Sequence, residues 1–186
     1  MPTITNLVGL VHKVAALLEE LNIKYAIGGA VANNYWGSVR ATQDVDVLVF
    51  IPAVSFQKFA NTFSEQGFQL ESGDKTIAIE IKKMRESLRR RHMFALVYHG
   101  VKIEVFTPFV PLQDEILKRA QRVPFAGQNL MVTTAEDLIL LKLAFKREKD
   151  LRDVKEVIWG DPSELFRFPL DAASSPRTIP VSIEPI

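Results

Sequence analysis

The chain has 186 residues with 23 Lys and Arg against 22 Asp and Glu, a net charge of +1, so no global field draws it to nucleic acid or membrane. Its 47% hydrophobic and 24% charged residues are ordinary for a globular protein large enough to bury a core. The absence of cysteine excludes disulfide frameworks, thiolate zinc sites and cysteine nucleophiles, and makes a cytoplasmic setting the expectation. Charges break every apolar stretch short of the roughly 18–20 residues a membrane span needs, so no membrane association is expected. The N-terminal residues Met1 to Asn6 lack the basic and apolar regions of a signal peptide.

Leu7, Leu10, Val11, Val14, Leu17, Leu18 and Leu21 recur at helical spacing, with His12, Lys13, Glu19 and Glu20 opposite them, and predict an amphipathic first helix. A short apolar run, Tyr25-Ala26-Ile27, is cut by Gly28-Gly29, and Ala30 to Trp36 reads as a short helix ended by Gly37. A glycine turn opening a helix can present free amides to a phosphate, although it can equally be a plain strand-to-helix turn.

Val45 to Ile51 is the clearest strand, and Pro52 stops it. Asp44 and Asp46 lie at its mouth. Residues two apart on a strand share a face, so both carboxylates point the same way and repel. A divalent cation with hard oxygen ligands offsets that repulsion. Alternatively, Asp44 accepts from a turn and Asp46 pairs with a cation such as Arg40.

Ser55 to Phe63 predicts a helix, and Phe68–Leu70 and Thr76–Ile81 weaker strands. The run from Lys82 to Arg91 holds six cations against one acid and reads as a solvated loop with some capacity for a polyanion such as tRNA. Met93–Tyr98 and Val101–Phe106 flank His99-Gly100, a two-residue hairpin turn. In the second arm Val101, Ile103 and Val105 take one face, and Lys102, Glu104 and Phe106 the other. If that arm neighbours the Asp44–Asp46 strand, three carboxylates converge. They would then suffice for two ions, with Glu104 also placed to accept a proton. Taken alone, Glu104 is as well explained by a pair with Lys102.

Asp114–Ala120 predicts a short helix and Asn129–Val132 a last strand. Thr134-Ala135-Glu136-Asp137 resembles a capping box, opening a helix continued inward by Leu138, Leu141 and Phe145. Leu151, Val154, Val157 and Ile158 form a further helical pattern before Gly160, and a tail rich in Pro and Ser follows. His12, His92 and His99 have no metal-ligand spacing.

Gly28-Gly29, Gly37, Arg40, Thr42, Asp44-x-Asp46 and a later strand acid together resemble the DNA polymerase β-type nucleotidyltransferase superfamily. The double glycine is most similar to the subgroup that includes abortive-infection toxins and small antibiotic nucleotidyltransferases. The resemblance implies an α+β nucleotidyltransferase fold: a mixed sheet with helices packed on it and a C-terminal helical pair. It implies a core over 1–110, a helical segment over 111–160 closing the cleft, and a tail over 161–186. Gly28 and Gly29 would form the phosphate-facing turn. Asp44 and Asp46 would bind two Mg²⁺ ions, or Mn²⁺, with Glu104 at the third position, usually aspartate. Lys142, then Arg147, Lys149, Asp150 and Asp153, is similar to the second motif block of the toxin group, which contributes to nucleotide binding. Ordinary charge pairing on a helix accounts for those spacings too. The implied reaction moves an NMP from an NTP to an acceptor hydroxyl on tRNA or other RNA, a protein or a small molecule. A cognate antitoxin is a candidate partner, with a catalytically weak nucleotide-binding module as the other reading.

Overall fold

A computed structural model describes residues 7–37, 42–145, 154–155 and 157–158. Helix α1 (Leu7–Glu20) buries Leu10, Val11, Val14, Leu17 and Leu18, the stripe its spacing requires. It leads into strand β1 (Lys24–Ile27), helix α2 (Gly29–Trp36) and strand β2 (Asp44–Phe50). Pro52 ends β2, and α3 (Phe56–Glu65) places Phe56, Phe59 and Phe63 in the core. Then come β3 (Gln69–Ser72), β4 (Lys75–Ile77), α4 (Ile81–Arg91), β5 (Met93–Tyr98) and β6 (Val101–Phe106). Helix α5 (Pro111–Arg119), strands β7 (Gln121–Phe125) and β8 (Gln128–Val132), and helix α6 (Ala135–Phe145) follow.

The eight strands form one mixed sheet in the order β4-β3-β5-β6-β2-β1-β8-β7. Strand β2 runs antiparallel to β1 and parallel to β6. This is the α+β fold expected, and its strand alternation decides which face does what. Val45, Val47 and Val49 of β2 and Ile103 and Val105 of β6 are buried in the main core with residues of α1, α3 and α4. Leu48 and Ala26 point to the opposite face, where Ile116 and Leu117 of α5 cover them. Asp44, Asp46 and Glu104 share that second face but remain partly open to solvent. Among the described residues no helix is long and apolar enough to cross a membrane.

Several local features depart from the expectation, among them β4, which ends at Ile77 rather than running to Ile81, the first residue of α4. The basic run 82–91 is not a loop but most of α4. Ile81, Met84 and Leu88 form a narrow apolar stripe beneath the cations, with Met84 fully buried against the core. Arg89, Arg90 and Arg91 occupy its last turn, where positive charge meets the negative end of the helix dipole. Strand β7 has no clear signature in the sequence, because Arg122 and Pro124 mask its alternation. Val123 and Phe125 point inward, and the strand's place at the sheet edge tolerates the proline. The hairpin turn at His99-Gly100 is as expected, with φ of 47° and 81° at its two residues. At Thr134 the hydroxyl accepts from the Asp137 N–H at 3.1 Å. The Asp137 carboxylate does not reach back; it takes two bonds from Arg119, at 2.6 and 3.1 Å, and so ties α6 to α5.

Tyr25 donates its hydroxyl to Glu19 at 3.0 Å and accepts from the Met131 N–H at 3.3 Å, linking α1 to β8. Burial, reinforced by Glu19 and opposed by the Met131 N–H, pushes its pKa from 10.0 to about 12. The neutral phenol is favoured in the folded chain, so its contribution is complete below pH 10 and lost as pH rises through about 12. Tyrosinate absorbance should therefore show one component near pH 12 that is missing in Tyr25→Phe. The stability of Tyr25→Phe should also fall less steeply than that of the parent across that window.

Candidate active site

The antiparallel pairing of β1 with β2 sets Ile27 opposite Val47 and brings the glycine turn to the mouth of the acidic strand. The Gly28 N–H donates to the Asp46 carbonyl at 2.9 Å, fixing the turn to β2. Gly29 opens α2 with φ of +53°, a left-handed conformation that side chains resist. A Cβ at Gly29 would overlap the Asp46 carboxylate, so that carboxylate rests against bare backbone. Gly28 is under no such demand, since its added Cβ would lie 3.9 Å from Thr133 Cγ2, an ordinary contact.

Asp44 accepts from the Thr42 hydroxyl, 2.9 Å from Oδ1, which orients the first carboxylate. Parallel pairing of β2 with β6 aligns Asp44 with Lys102 and Asp46 with Glu104. These four residues make a square on one face, with acids at three corners and a lysine at the fourth. The strand neighbour that the sequence required for Glu104 is therefore present.

The carboxylate of Glu104 is engaged by the alternative partner. Lys102 Nζ lies 3.1 Å from Glu104 Oε1 and 3.2 Å from Glu71 Oε2 of β3. Partial burial alone would lower the Lys102 pKa, but its bonds to Glu104 and Glu71 outweigh this and hold it above the usual lysine value. With Glu104 so turned, no three His, Cys, Asp or Glu side chains among the described residues stand close enough to hold an ion. The donor set nonetheless fits Mg²⁺ or Mn²⁺ chemically: carboxylate oxygens on adjacent strands, with bare glycine backbone beside one of them.

Lys142 is buried on α6, the helix that packs against α2. Arg40, Arg147, Asp150 and Asp153 lie outside the described residues. The sequence reading did not single out Glu71, because an isolated acid on a weak strand carries no motif. Nor did it single out Asn33 of α2, fully buried with neither amide atom hydrogen-bonded among the described residues, or Thr133, whose buried hydroxyl also has no partner among them.

The sequence model of a family described as nucleotidyl transferases of unknown function (DUF2204) matches residues 8–173. No curated protein sequence matches the chain. Among solved structures, an antigenic nucleotidyltransferase-like protein from Paracoccidioides brasiliensis is similar at a TM-score of 0.56 and 23% identity, over 81% of this chain and 74% of that one. ANT(2")-Ia in complex with adenylyl-2"-tobramycin is similar at 0.53 and 17% identity, over 81% and 86%. A putative nucleotidyltransferase from Thermotoga maritima is similar at 0.51 and 15% identity, over 81% and 91%. At these identities the likenesses show a common fold.

Proposed function

Because the chain belongs to the DUF2204 family of nucleotidyl transferases, we propose that it moves an NMP from an NTP to an acceptor hydroxyl and releases pyrophosphate. The observation that carries this reading is the register that sets Asp46 beside Glu104 on the open face, next to the glycine turn. Asp44, Asp46 and Glu104 would hold divalent cations, which supply charge neutralisation at the triphosphate and acidify the attacking hydroxyl.

The turn at Gly28 and Gly29 faces the phosphates: the Gly28 N–H is held by the Asp46 carbonyl, and the amides that follow it, from Gly29 at the start of α2, receive them. Arg40, Lys142 and Arg147 neutralise phosphate charge, while Asp150 and Asp153 anchor those cations or the ribose. Glu104 accepts the acceptor's proton as the oxygen bonds to the α-phosphorus and the bond to pyrophosphate breaks. The nucleotidyltransferase core is assigned to 1–110 and the segment that closes over the nucleotide to 111–160, within which β7 and β8 extend the core sheet beside β1. The cysteine-free composition supports a cytoplasmic setting as part of this reading.

A small-molecule acceptor is favoured by the likeness to ANT(2")-Ia in complex with adenylyl-2"-tobramycin, while the exposed cations of α4 favour RNA. The second reading, a catalytically weak nucleotide-binding module paired with an antitoxin, draws on the engagement of Glu104 by Lys102.

Calorimetry with each NTP, with and without Mg²⁺, tests binding. Labelled NTPs incubated with total tRNA, protein or aminoglycosides test transfer. Mg²⁺-dependent binding with label moved to one acceptor class is expected. Binding without transfer supports the module, and no binding overturns both readings.

A further inference from the structure

We propose that Lys102 is a tethered cation occupying Glu104 in the resting protein, and that Glu71 is the positioning carboxylate that retains Lys102 when Glu104 turns to a divalent ion. The inference rests on the metal-binding reading of Asp44, Asp46 and Glu104.

Its ground is the geometry of one ammonium shared by two carboxylates. Lys102 Nζ is 3.1 Å from Glu104 and 3.2 Å from Glu71, nearly equal distances. The two acids come from different strands. Glu104 sits in β6 in register with Asp46, whereas Glu71 follows Leu70, which pairs through Leu96 of β5 to the β6 row containing Ile103. Leu70, Leu96 and Ile103 are all buried on the core face, so Glu71 falls on the same open face as Glu104.

An exposed lysine pair would ordinarily matter little. This one differs because one of its carboxylates stands at the third corner of the acidic square and Lys102 itself is in register with Asp44. A fixed positive charge there opposes a divalent ion, and releasing Glu104 would leave the ammonium unpaired without a second acid to hold it. Glu71 supplies that second acid, so the exchange from Lys102 to the ion proceeds with the lysine charge-paired throughout.

Mn²⁺ affinity, read by calorimetry and electron paramagnetic resonance without nucleotide, tests this in the full chain. Lys102→Met should tighten Mn²⁺ about 3- to 10-fold, and Glu71→Gln should weaken it by a similar factor. Lys102→Arg should stay near the parent. Plain electrostatics predicts the same signs for the first two, so the decisive variant combines them. In the Lys102→Met background, Glu71→Gln should have no further effect, because Glu71 acts through the lysine. Additive effects, or no change in Lys102→Met, overturn the clamp while leaving the metal site intact. If Asp46→Asn leaves Mn²⁺ binding unaltered, or no protein binds Mn²⁺, the metal-binding reading fails and the clamp with it. Matched melting temperatures keep each comparison between folded proteins.

Discussion

Asp46→Asn is expected to abolish transfer of label from an NTP, by on the order of 10³-fold or more, while leaving the protein folded. The size follows from what the carboxylate would do: charge stabilisation by a bound metal is worth several kcal/mol in the transition state, and each 1.36 kcal/mol is about tenfold in rate. The fold should tolerate the change. Asp46 is partly exposed, its backbone stays held by Gly28 and by pairing with β6, and removing one of two like charges on a face relieves repulsion. Melting temperature and single-turnover transfer should therefore separate cleanly. Undiminished transfer would remove Asp46 from the chemistry.

Gly29→Ala should damage both stability and binding, and Gly28→Ala should do far less of either. At Gly29 the backbone sits at φ of +53°, where a Cβ costs about 1–2 kcal/mol, and that Cβ would strike the Asp46 carboxylate. The carboxylate must then move, and a displacement of about 1 Å at a reacting centre can cost on the order of 10²-fold. Gly28 has φ of −122° and room for a methyl group, so alanine there meets only an ordinary contact with Thr133. Urea unfolding and Mg²⁺-NTP calorimetry on the two variants measure this difference. Equal losses would mean the turn is merely structural.

The two glycines are indistinguishable as letters. What separates them is the approach of Asp46 from another strand, a long-range contact that local pattern does not encode. The same boundary runs through the rest of the molecule. The alternation of Val45, Val47 and Val49 against Asp44 and Asp46 was legible, as was that of Ile103 and Val105 against Glu104, because strand period alone assigns faces. The parallel register joining them could only be assumed. The part played by Glu71 was not legible, since its partner lies two strands away in the sheet. Helix α4 was hidden by its own cations, which outnumber the three apolar residues that pin it, and β7 by a proline that only an edge position allows.

The central claim is that Asp44, Asp46 and Glu104 converge on divalent cations beside the glycine turn. Anomalous scattering from crystals grown with Mn²⁺ and a non-hydrolysable NTP tests it most directly. The account predicts Mn²⁺ peaks about 2.1 Å from carboxylate oxygens of all three residues, with Lys102 left on Glu71 and the triphosphate at Gly28 and Gly29. Peaks elsewhere, or Glu104 still bonded to Lys102 with no ion contact while nucleotide is bound, would contradict it.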